Sequence, residues 1–547
     1  MKDFDVCVIG SGAGGAPVAW SLARAGRSVV LLERGPWLRD DDFDKDELSH
    51  RRGAHHAKPA TDPQRVVLGG RVLDAAAAGW SFRNGNLVGG ATNFMSGYFH
   101  RMKPVDFRLR SEFGPIPGGD VVDWPIDYDA LEPWYAQVEQ QVGLSGHVIA
   151  HPWAEPRSTA QLPLPPLAVH PLAGWVEAAA RDVGVTAFPI TRAVLSRPRG
   201  SRGACDLSGY CAHYGCTTGA KGSARAAFVE EAAATGRCEV RANTRARRLV
   251  LGPDGRVDHV ETASGSGLGR VSARRYVIAC QPIETARLLL LSSGPGHPSG
   301  LGNTNGLVGR NLLFSAGGYA AADFPYELFD AADQALLRNP TPFLDRAIQD
   351  DYVLSGTPRR KGGTVDFIFP HPNPIAASVA LATHGERLIF GVPLKRALQQ
   401  YFGRSTHVKA ECFADWVPHP GCNVSLDPDV KDAEGLPVAR VSPASHPRNR
   451  EVALRLLERA AAVLSAMRGS EVRIGGAGAA STNLVAGGCR FGSDAETSVL
   501  DPECRLHRAP EVFVSDGSFM PTGGSVPYTF TLYANALRVA EAVGRGL

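Results

Sequence analysis

Three glycines near the start of the chain have a spacing that suits the binding of phosphate groups. Gly10, Gly12 and Gly15 follow the apolar run 5–9 and precede an alanine-rich segment. In this spacing the first glycine permits a tight turn, the second lets the backbone approach a pyrophosphate, and the third lets the next helix pack on the strand. The helix N-terminus adds unpaired N–H groups for phosphates. The pattern predicts a dinucleotide-binding βαβ unit, with Ala13 in its phosphate-facing turn.

An acidic residue stands where the second strand of this unit should end. Glu33 closes the run 28–33, 18 residues after Gly15. A carboxylate at this place can accept hydrogen bonds from both hydroxyls of an adenosine ribose. A free 2′-hydroxyl is therefore expected, which favours FAD or NAD over NADP. Arg34 follows directly as a further candidate contact.

The C-terminal region carries a second strand–loop–helix pattern. Residues 511–514 form a short apolar run that delivers Asp516 and Gly517 at its end, and residues 529–543 have apolar side chains at helical spacing. The start of that helix, with Tyr528 and Thr529, would present backbone amides to an electron-rich group.

Composition describes a large globular enzyme. At 547 residues the chain exceeds the size of a single core, so we expect two or three lobes. The net charge of +3 without a basic block gives no reason to expect nucleic acid or an anionic membrane, and no apolar stretch has transmembrane length. The first strand starts too early for a signal peptide, and ten scattered cysteines suit a reducing compartment. The expected location is the cytoplasm.

Five separated segments together resemble one enzyme family. They are the glycine unit at the start, Val88–Asn93, Val277–Leu290, Leu301–Leu312 and the closing stretch with Arg490–Gly492 and Asp516–Ser518. In order and spacing the chain resembles the glucose–methanol–choline (GMC) flavin oxidoreductases from end to end.

The resemblance implies an α/β fold with a Rossmann-like FAD-binding domain and a discontinuous α+β substrate domain built on an antiparallel sheet. We expect residues 1–75, 200–312 and 470–547 in the FAD-binding domain, and residues 76–199 and 313–469 in the substrate-binding domain. The segment 314–401 is expected to line a polar cavity or to form a lid.

The resemblance also implies non-covalent FAD, because Asn93, Phe94 and Met95 offer no histidine for attachment. The residues expected to contact FAD are Gly10, Gly12, Ala13, Gly15, Glu33, Arg34, Gly89, Gly90, Thr92, Asn93, Ala246, Ala279, Cys280, Asp516, Gly517, Tyr528 and Thr529.

Family members pass a hydride from an alcohol carbon to flavin N5 while a histidine takes the hydroxyl proton. The resemblance places the usual histidine at Leu484, and its histidine or asparagine partner at Pro527, or at Val526 if the alignment slips by one residue. The usual histidine is therefore missing. General-base help accounts for roughly two to four orders of magnitude in rate.

Three explanations for the missing histidine stay open. A base can come from elsewhere, with Tyr528, Asn483 and Glu411 as the catalytic candidates and Asp415 and His419 as further ones. An amino-sugar substrate can supply its own amine. Alternatively the protein is a non-redox or partner-dependent flavoprotein that oxidises no alcohol.

Three closely spaced cysteines are a further candidate functional feature of the sequence. Cys205, Cys211 and Cys216 lie in a turn-rich segment that resembles the place where some sugar dehydrogenases of this family hold an iron–sulfur cluster. Ser208 stands where many relatives have a further cysteine, so we expect reduced or paired structural thiols, with no bound metal, and keep the cluster as the alternative.

The resemblance favours a polar alcohol as substrate: a sugar, a cyclitol or an amino sugar such as an aminoglycoside precursor. The electron acceptor would be oxygen or another acceptor. Carboxylates in the cavity would be the physical signature of a polycationic substrate.

Overall fold

The chain builds two large sheets that meet at one cavity. The computed structural model describes residues 3–51, 55–56, 60–82, 84–338, 343–356, 358–368, 373–384 and 387–547. Within them the sheets have six and ten strands, and smaller sheets lie at the periphery.

The strands, in chain order, are β1 (Phe4–Ile9), β2 (Val29–Leu32), β3 (Arg65–Leu68), β4 (Arg71–Asp74), β5 (Ala187–Pro189), β6 (Cys238–Arg241), β7 (Arg245–Leu251), β8 (Val257–Ser264), β9 (Gly267–Val271), β10 (Ala273–Ile278), β11 (Arg310–Pro325), β12 (Arg346–Ile348), β13 (Val353–Leu354), β14 (Arg360–Lys361), β15 (Gly363–Ile368), β16 (Thr383–His384), β17 (Arg387–Leu388), β18 (Ser405–Asp415), β19 (Asn423–Lys431), β20 (Pro437–Ser442), β21 (Ser470–Gly488), β22 (Arg505–Leu506) and β23 (Ala509–Val514).

The α-helices, in chain order, are α1 (Gly15–Arg24), α2 (Glu47–Arg51), α3 (Leu109–Phe113), α4 (Glu132–Val142), α5 (Ala173–Asp182), α6 (Glu230–Ala234), α7 (Pro282–Leu291), α8 (Ala331–Arg338), α9 (Pro374–Leu381), α10 (Val392–Gly403), α11 (Pro447–Ala466) and α12 (Thr529–Gly544). No helix in these ranges is long and apolar enough to cross a membrane.

The six-stranded sheet has the order β22-β23-β10-β1-β2-β6, and all its pairs are parallel except the edge pair β22–β23. Its central strands are buried and apolar, as expected for a parallel sheet that is covered on both faces. Helices α1 and α12 pack against each other beside it. This confirms the predicted Rossmann-like domain.

The ten-stranded sheet has the order β4-β3-β20-β19-β11-β18-β15-β12-β5, with β21 paired to β11. Its pairs are antiparallel except β20–β3. Helix α11 packs on β11, β18 and β21, and buries Val452, Leu456 and Leu457. The predicted antiparallel substrate sheet is therefore present.

Two predicted domain boundaries differ from the sheet topology. The expected FAD-binding segments 1–75 and 470–547 include β3, β4 and β21, but these strands pair within the ten-stranded sheet. The reason lies in long-range pairing: β21 follows β11 from Asp323 to Arg310 through several register shifts, which no local pattern announces.

The candidate lid 314–401 is only partly exposed. It begins in β11, a central strand, whereas α9 and α10 bury none of their side chains. Leu388 and Phe390 between these helices, and Val392 at the start of α10, are also more than half exposed.

Candidate active site

A cavity of about 820 Å³ connects the two sheets. It runs from the turn after β1, past the segment 90–99, to β11, β18, β21 and the start of α12. A cavity of this size, lying where a parallel sheet meets a second layer, suits a large cofactor with a small substrate.

The glycine turn has the geometry that its sequence predicts. Gly10 has φ +97°, and a side chain there would overlap the backbone of Ala279. A side chain on Gly15 would overlap the carbonyl of Gly10, so this glycine permits the packing of α1. A Cβ on Gly12, in contrast, meets nothing within 4 Å, because this residue faces the cavity.

Glu33 lines the cavity at the end of β2. Its carboxylate accepts hydrogen bonds from Ser11 N (3.2 Å), Ser11 Oγ (2.6 Å) and Gly35 N (3.0 Å). Burial raises its pKa, although these hydrogen bonds oppose the rise. The open glycine, the start of α1 and this acid fit the diphosphate and ribose of FAD, and Glu33 also braces the turn itself.

Arg34 lines the cavity within a group of buried ion pairs. It contacts Asp62 at 2.7 Å, and Asp432 contacts both Arg245 (2.8 Å) and Arg287 (2.6 Å). Ala246 lies in the same wall. The Arg34 guanidinium is therefore held by Asp62, and its predicted contact to the cofactor stays a prediction.

The segment 88–94 forms a tight turn against the first glycine loop. Gly89 has φ +90° and donates its N–H to Ser11 Oγ at 2.9 Å, while Asn93 Nδ2 donates to the carbonyls of Val88 (3.0 Å) and Gly90 (2.9 Å). Gly90 and Thr92 line the cavity, but Gly15, Gly89 and Asn93 do not. These three residues shape the loops, and their expected direct contact with FAD stays a prediction.

The other expected FAD residues lie together in the wall. Ala13, Ala279 and Cys280 follow β1 and β10, and Gly517, Tyr528 and Thr529 follow β23 and begin α12. Asp516 lies in the wall as well and accepts hydrogen bonds from Thr285 Oγ1 (2.5 Å) and Ser518 N (2.9 Å). Burial raises the pKa of Asp516.

Leu484 and Pro527, the positions that the resemblance predicts for the usual catalytic pair, both line the cavity. Tyr528 is 2% exposed, and its Oη has no hydrogen-bond partner in the described part of the chain. Burial raises the pKa of Tyr528 well above its ordinary value. The phenol is therefore neutral at neutral pH, and it can donate and accept hydrogen bonds but is a poor base.

The remaining base candidates differ in their access to the cavity. Asn483 is exposed on β21, and Glu411 lies on β18 with Oε1 2.6 Å from Lys409 Nζ; both line the cavity. Asp415 and His419 lie outside its wall. His419 Nδ1 accepts a hydrogen bond from Gly421 N at 2.9 Å, within its own turn.

Asp415 belongs to a buried polar group beneath the loop 523–528. Its Oδ2 lies 3.3 Å from Ser525 Oγ, and its Oδ1 has no hydrogen-bond partner among the described residues. Burial raises the pKa of Asp415 to about 6, against the effect of Lys361. It supports the loop from below.

Several residues that line the cavity were not predicted from the sequence. Tyr98, Arg192, His213, Tyr319 and Lys409 all face the cavity. The Arg192 guanidinium lies between the rings of Tyr98 (4.1 Å) and Phe343 (3.7 Å) and contacts Asp345 at 2.9 Å. No local motif marks these positions.

His213, like His56, is a histidine of the cavity wall, and it lies beside the segment 90–99. It has φ +68°, and its backbone N–H donates to the Phe94 carbonyl at 2.9 Å. The three surrounding cysteines are the one sequence signal near it.

Cys205, Cys211 and Cys216 are free thiols outside the cavity wall. Lys221 Nζ fixes their loop, since it donates to the carbonyls of Asn93, Cys211 and Tyr214 at 2.8–2.9 Å. Burial raises the pKa of Cys216, but Lys221 and hydrogen bonds outweigh it and lower the pKa overall. Across the described ranges, no group of three His, Cys, Asp or Glu residues is arranged to hold a metal ion.

Comparisons with known proteins agree with this geometry. Family models described as GMC oxidoreductase match residues 121–315 and 418–536, and a model of the NAD(P)-binding Rossmann-like domain matches residues 8–69.

Curated relatives match along the whole chain. Paromamine 6′-oxidase of Streptomyces fradiae and 6‴-hydroxyparomomycin C oxidase of Streptomyces lividus are each 32% identical, over 100% of this chain and 92% of theirs. The 2-methyl-1,2-propanediol dehydrogenase of Mycolicibacterium austroafricanum is 30% identical over 99% of this chain and 95% of its own.

Solved structures share the fold. Pyridoxine 4-oxidase from Mesorbium loti superposes with a TM-score of 0.62 at 18% identity, covering 99% of both chains. A formate oxidase of Aspergillus oryzae RIB40, studied for FAD modification, has a TM-score of 0.62 at 14% identity and covers 99% of this chain and 98% of that one. The chain therefore belongs to the GMC oxidoreductases, and it is an FAD-dependent enzyme that oxidises a hydroxyl group of a polar substrate.

Proposed function

We propose that this enzyme oxidises a hydroxymethyl group of an amino sugar of the aminoglycoside-precursor kind. The observation that carries the proposal is the full-length similarity to two oxidases named for paromamine and 6‴-hydroxyparomomycin C. The cavity supports it, because polar and charged side chains of the ten-stranded sheet line part of it. FAD, when bound, supplies the oxidant that takes a hydride from the carbinol carbon.

Tyr528 is the proposed positioning group for the reacting hydroxyl. Its Oη is buried, faces no partner in the described protein and stays protonated at neutral pH. A substrate hydroxyl can therefore complete its hydrogen bonding. This interaction orients the substrate and leaves the proton to another group.

His213 is the proposed proton acceptor. Leu484 and Pro527 cannot take a proton, and the amide of Asn483 is not basic. An imidazole in the wall beside the segment 90–99 has the right chemistry, because a neutral imidazole has a ring nitrogen that can accept a proton. Glu411 is the alternative acceptor carried over from the sequence.

Oxygen is the proposed electron acceptor, supported by the oxidase names of two relatives. The cytoplasm is the proposed compartment, supported by ten unpaired cysteines. Non-covalent attachment of FAD stays a prediction, which denaturation and filtration of the yellow protein would test.

The deciding experiment is anaerobic mixing of the FAD-loaded enzyme with paromamine, followed at the flavin absorbance bands. Bleaching by paromamine, and slower or no bleaching by a sterol alcohol, is the expected result. Persistent bands with every polyol, sugar and amino sugar would refute the proposal and support the non-redox alternative.

A further inference from the structure

The substrate end of the cavity contains a cation held by a carboxylate. Lys409 and Glu411 are two residues apart on β18, so both side chains lie on the same face of the sheet. Lys409 Nζ lies 2.6 Å from Glu411 Oε1, and the two side chains are 35% and 34% exposed. The pair faces the cavity and remains accessible to a ligand.

An aromatic ring forms a second wall around the same ammonium group. Tyr319 lies directly opposite Glu411 in the pairing of β11 with β18, and Lys409 Nζ lies 5.2 Å from its ring centroid. A carboxylate beside an aromatic face is the chemistry that recognises an alkylammonium ion. In this structure the ammonium group of Lys409 occupies the site between the Glu411 carboxylate and the Tyr319 ring.

A second carboxylate increases the demand for a cation at this place. Asp366 on β15 lies directly opposite Glu411 on the other side of β18 and is fully buried. Its Oδ1 lies 3.1 Å from His100 Nε2, but its Oδ2 has no hydrogen-bond partner in the described structure. Like charges directly opposite in a sheet are unfavourable, so a cation near them is stabilising.

We propose that Glu411, with Tyr319 and Asp366 behind it, is a subsite for a substrate ammonium group, and that Lys409 occupies it until substrate binds. This inference rests on the proposed function, because it needs a substrate that carries an amine. The flexible stem of lysine lets its ammonium leave toward solvent when the substrate amine takes its place. A neutral hydroxyl at the same position cannot replace the charge, so the subsite selects amino sugars over their hydroxyl analogues.

Two probes that differ at one position test the subsite: glucosamine, with an ammonium at C2, and glucose, with a hydroxyl. At about pH 6.5 the amine is protonated. In Glu411→Gln the ratio of kcat/KM for glucosamine to that for glucose should fall by about 10-fold, through KM. In Lys409→Met the ratio should rise, because no internal ammonium competes.

The matched control is Glu496→Gln, which removes a carboxylate from an exposed ion pair with Arg508 away from the cavity. Its ratio should equal that of the unchanged enzyme. Unchanged ratios in both Glu411→Gln and Lys409→Met would overturn the subsite. An equal loss of kcat on both sugars in Glu411→Gln would overturn it as well, since that result makes Glu411 the base.

Calorimetric titration with glucosamine separates this inference from the proposed function. If the enzyme oxidises neither these sugars nor paromamine, the proposed function fails, but glucosamine binding still decides the subsite. Weaker binding in Glu411→Gln together with tighter binding in Lys409→Met supports it. Equal binding in all forms refutes it, and Lys409→Met keeps the test valid if Glu411→Gln does not fold.

Discussion

The Tyr528 hydroxyl is buried with no hydrogen-bond partner in the described protein. A buried polar group without a partner costs stability, so a ligand that satisfies it gains binding energy. The neighbouring Pro527 is the position that the resemblance predicts for a catalytic histidine or asparagine. A neutral hydroxyl therefore lies beside the position expected to carry the catalytic side chain.

Tyr528→Phe should slow anaerobic flavin reduction by roughly 10-fold, which corresponds to one lost hydrogen bond to the reacting hydroxyl. The melting temperature should stay the same or rise slightly, because the deleted oxygen has no partner in the fold. Stopped-flow absorbance and thermal unfolding measure the two effects. Tyr401→Phe, outside the cavity wall, is the control. A lower melting temperature with unchanged reduction would assign Tyr528 to the fold.

His213→Gln should slow flavin reduction by about 100-fold, because the proposed acceptor is lost. The readout is the rate of anaerobic flavin reduction. His259→Gln, on β8 and away from the cavity wall, should behave like the unchanged enzyme. A variant that reduces its flavin at the rate of the unchanged enzyme would exclude His213 as the acceptor.

At the scale of elements, the βαβ unit was predictable because its parts are contiguous. Gly10, Gly15 and Glu33 act through turns and strand ends that lie within one stretch of chain. The cavity face of the ten-stranded sheet was not predictable in the same way. Tyr319 and Glu411 are far apart in sequence, and only the pairing of β11 with β18 brings them together.

The two glycines of the first loop should respond differently to alanine. Gly12→Ala should fold with an unchanged melting temperature of the apoprotein but lose FAD, because its Cβ meets only cavity space. Gly15→Ala should lower the apoprotein stability by roughly 1–3 kcal/mol, because its Cβ would overlap the Gly10 carbonyl. Apoprotein melting and FAD titration separate the two roles. Equal losses of stability in both variants would contradict this division.

At the scale of the whole molecule, the cavity lies where the two sheets meet, and a buried acid supports this junction. Asp415 ends β18 in the ten-stranded sheet and lies under the loop 523–528, which leads into α12. Burial raises the pKa of Asp415 to about 6, so the folded protein binds the carboxyl proton more tightly than the unfolded chain does. The corresponding stability is present below about pH 4 and is lost as the pH rises to about 6.

Asp415→Asn cannot ionise and should keep this stability at higher pH. The free energy of unfolding of the variant, relative to that of the unchanged enzyme, should rise by up to about 3 kcal/mol from about pH 4 to pH 7.5. The rise is smaller if Lys361 compensates the charge of the carboxylate. Urea unfolding at both pH values measures the difference. If the difference in the free energy of unfolding is the same at both pH values, Asp415 does not ionise across this range in the folded state.

The sequence by itself determined the cofactor end of this protein. Glycine spacing, the acid after β2 and the start of α12 act through local backbone geometry, and local geometry is written in consecutive residues. Only the tertiary structure decided the substrate end. The Lys409–Glu411 pair, its tyrosine wall, the imidazole of His213 and the assignment of β21 to the second sheet all depend on register between distant strands and loops. Such register is set by the packing of the whole chain and not by any one segment.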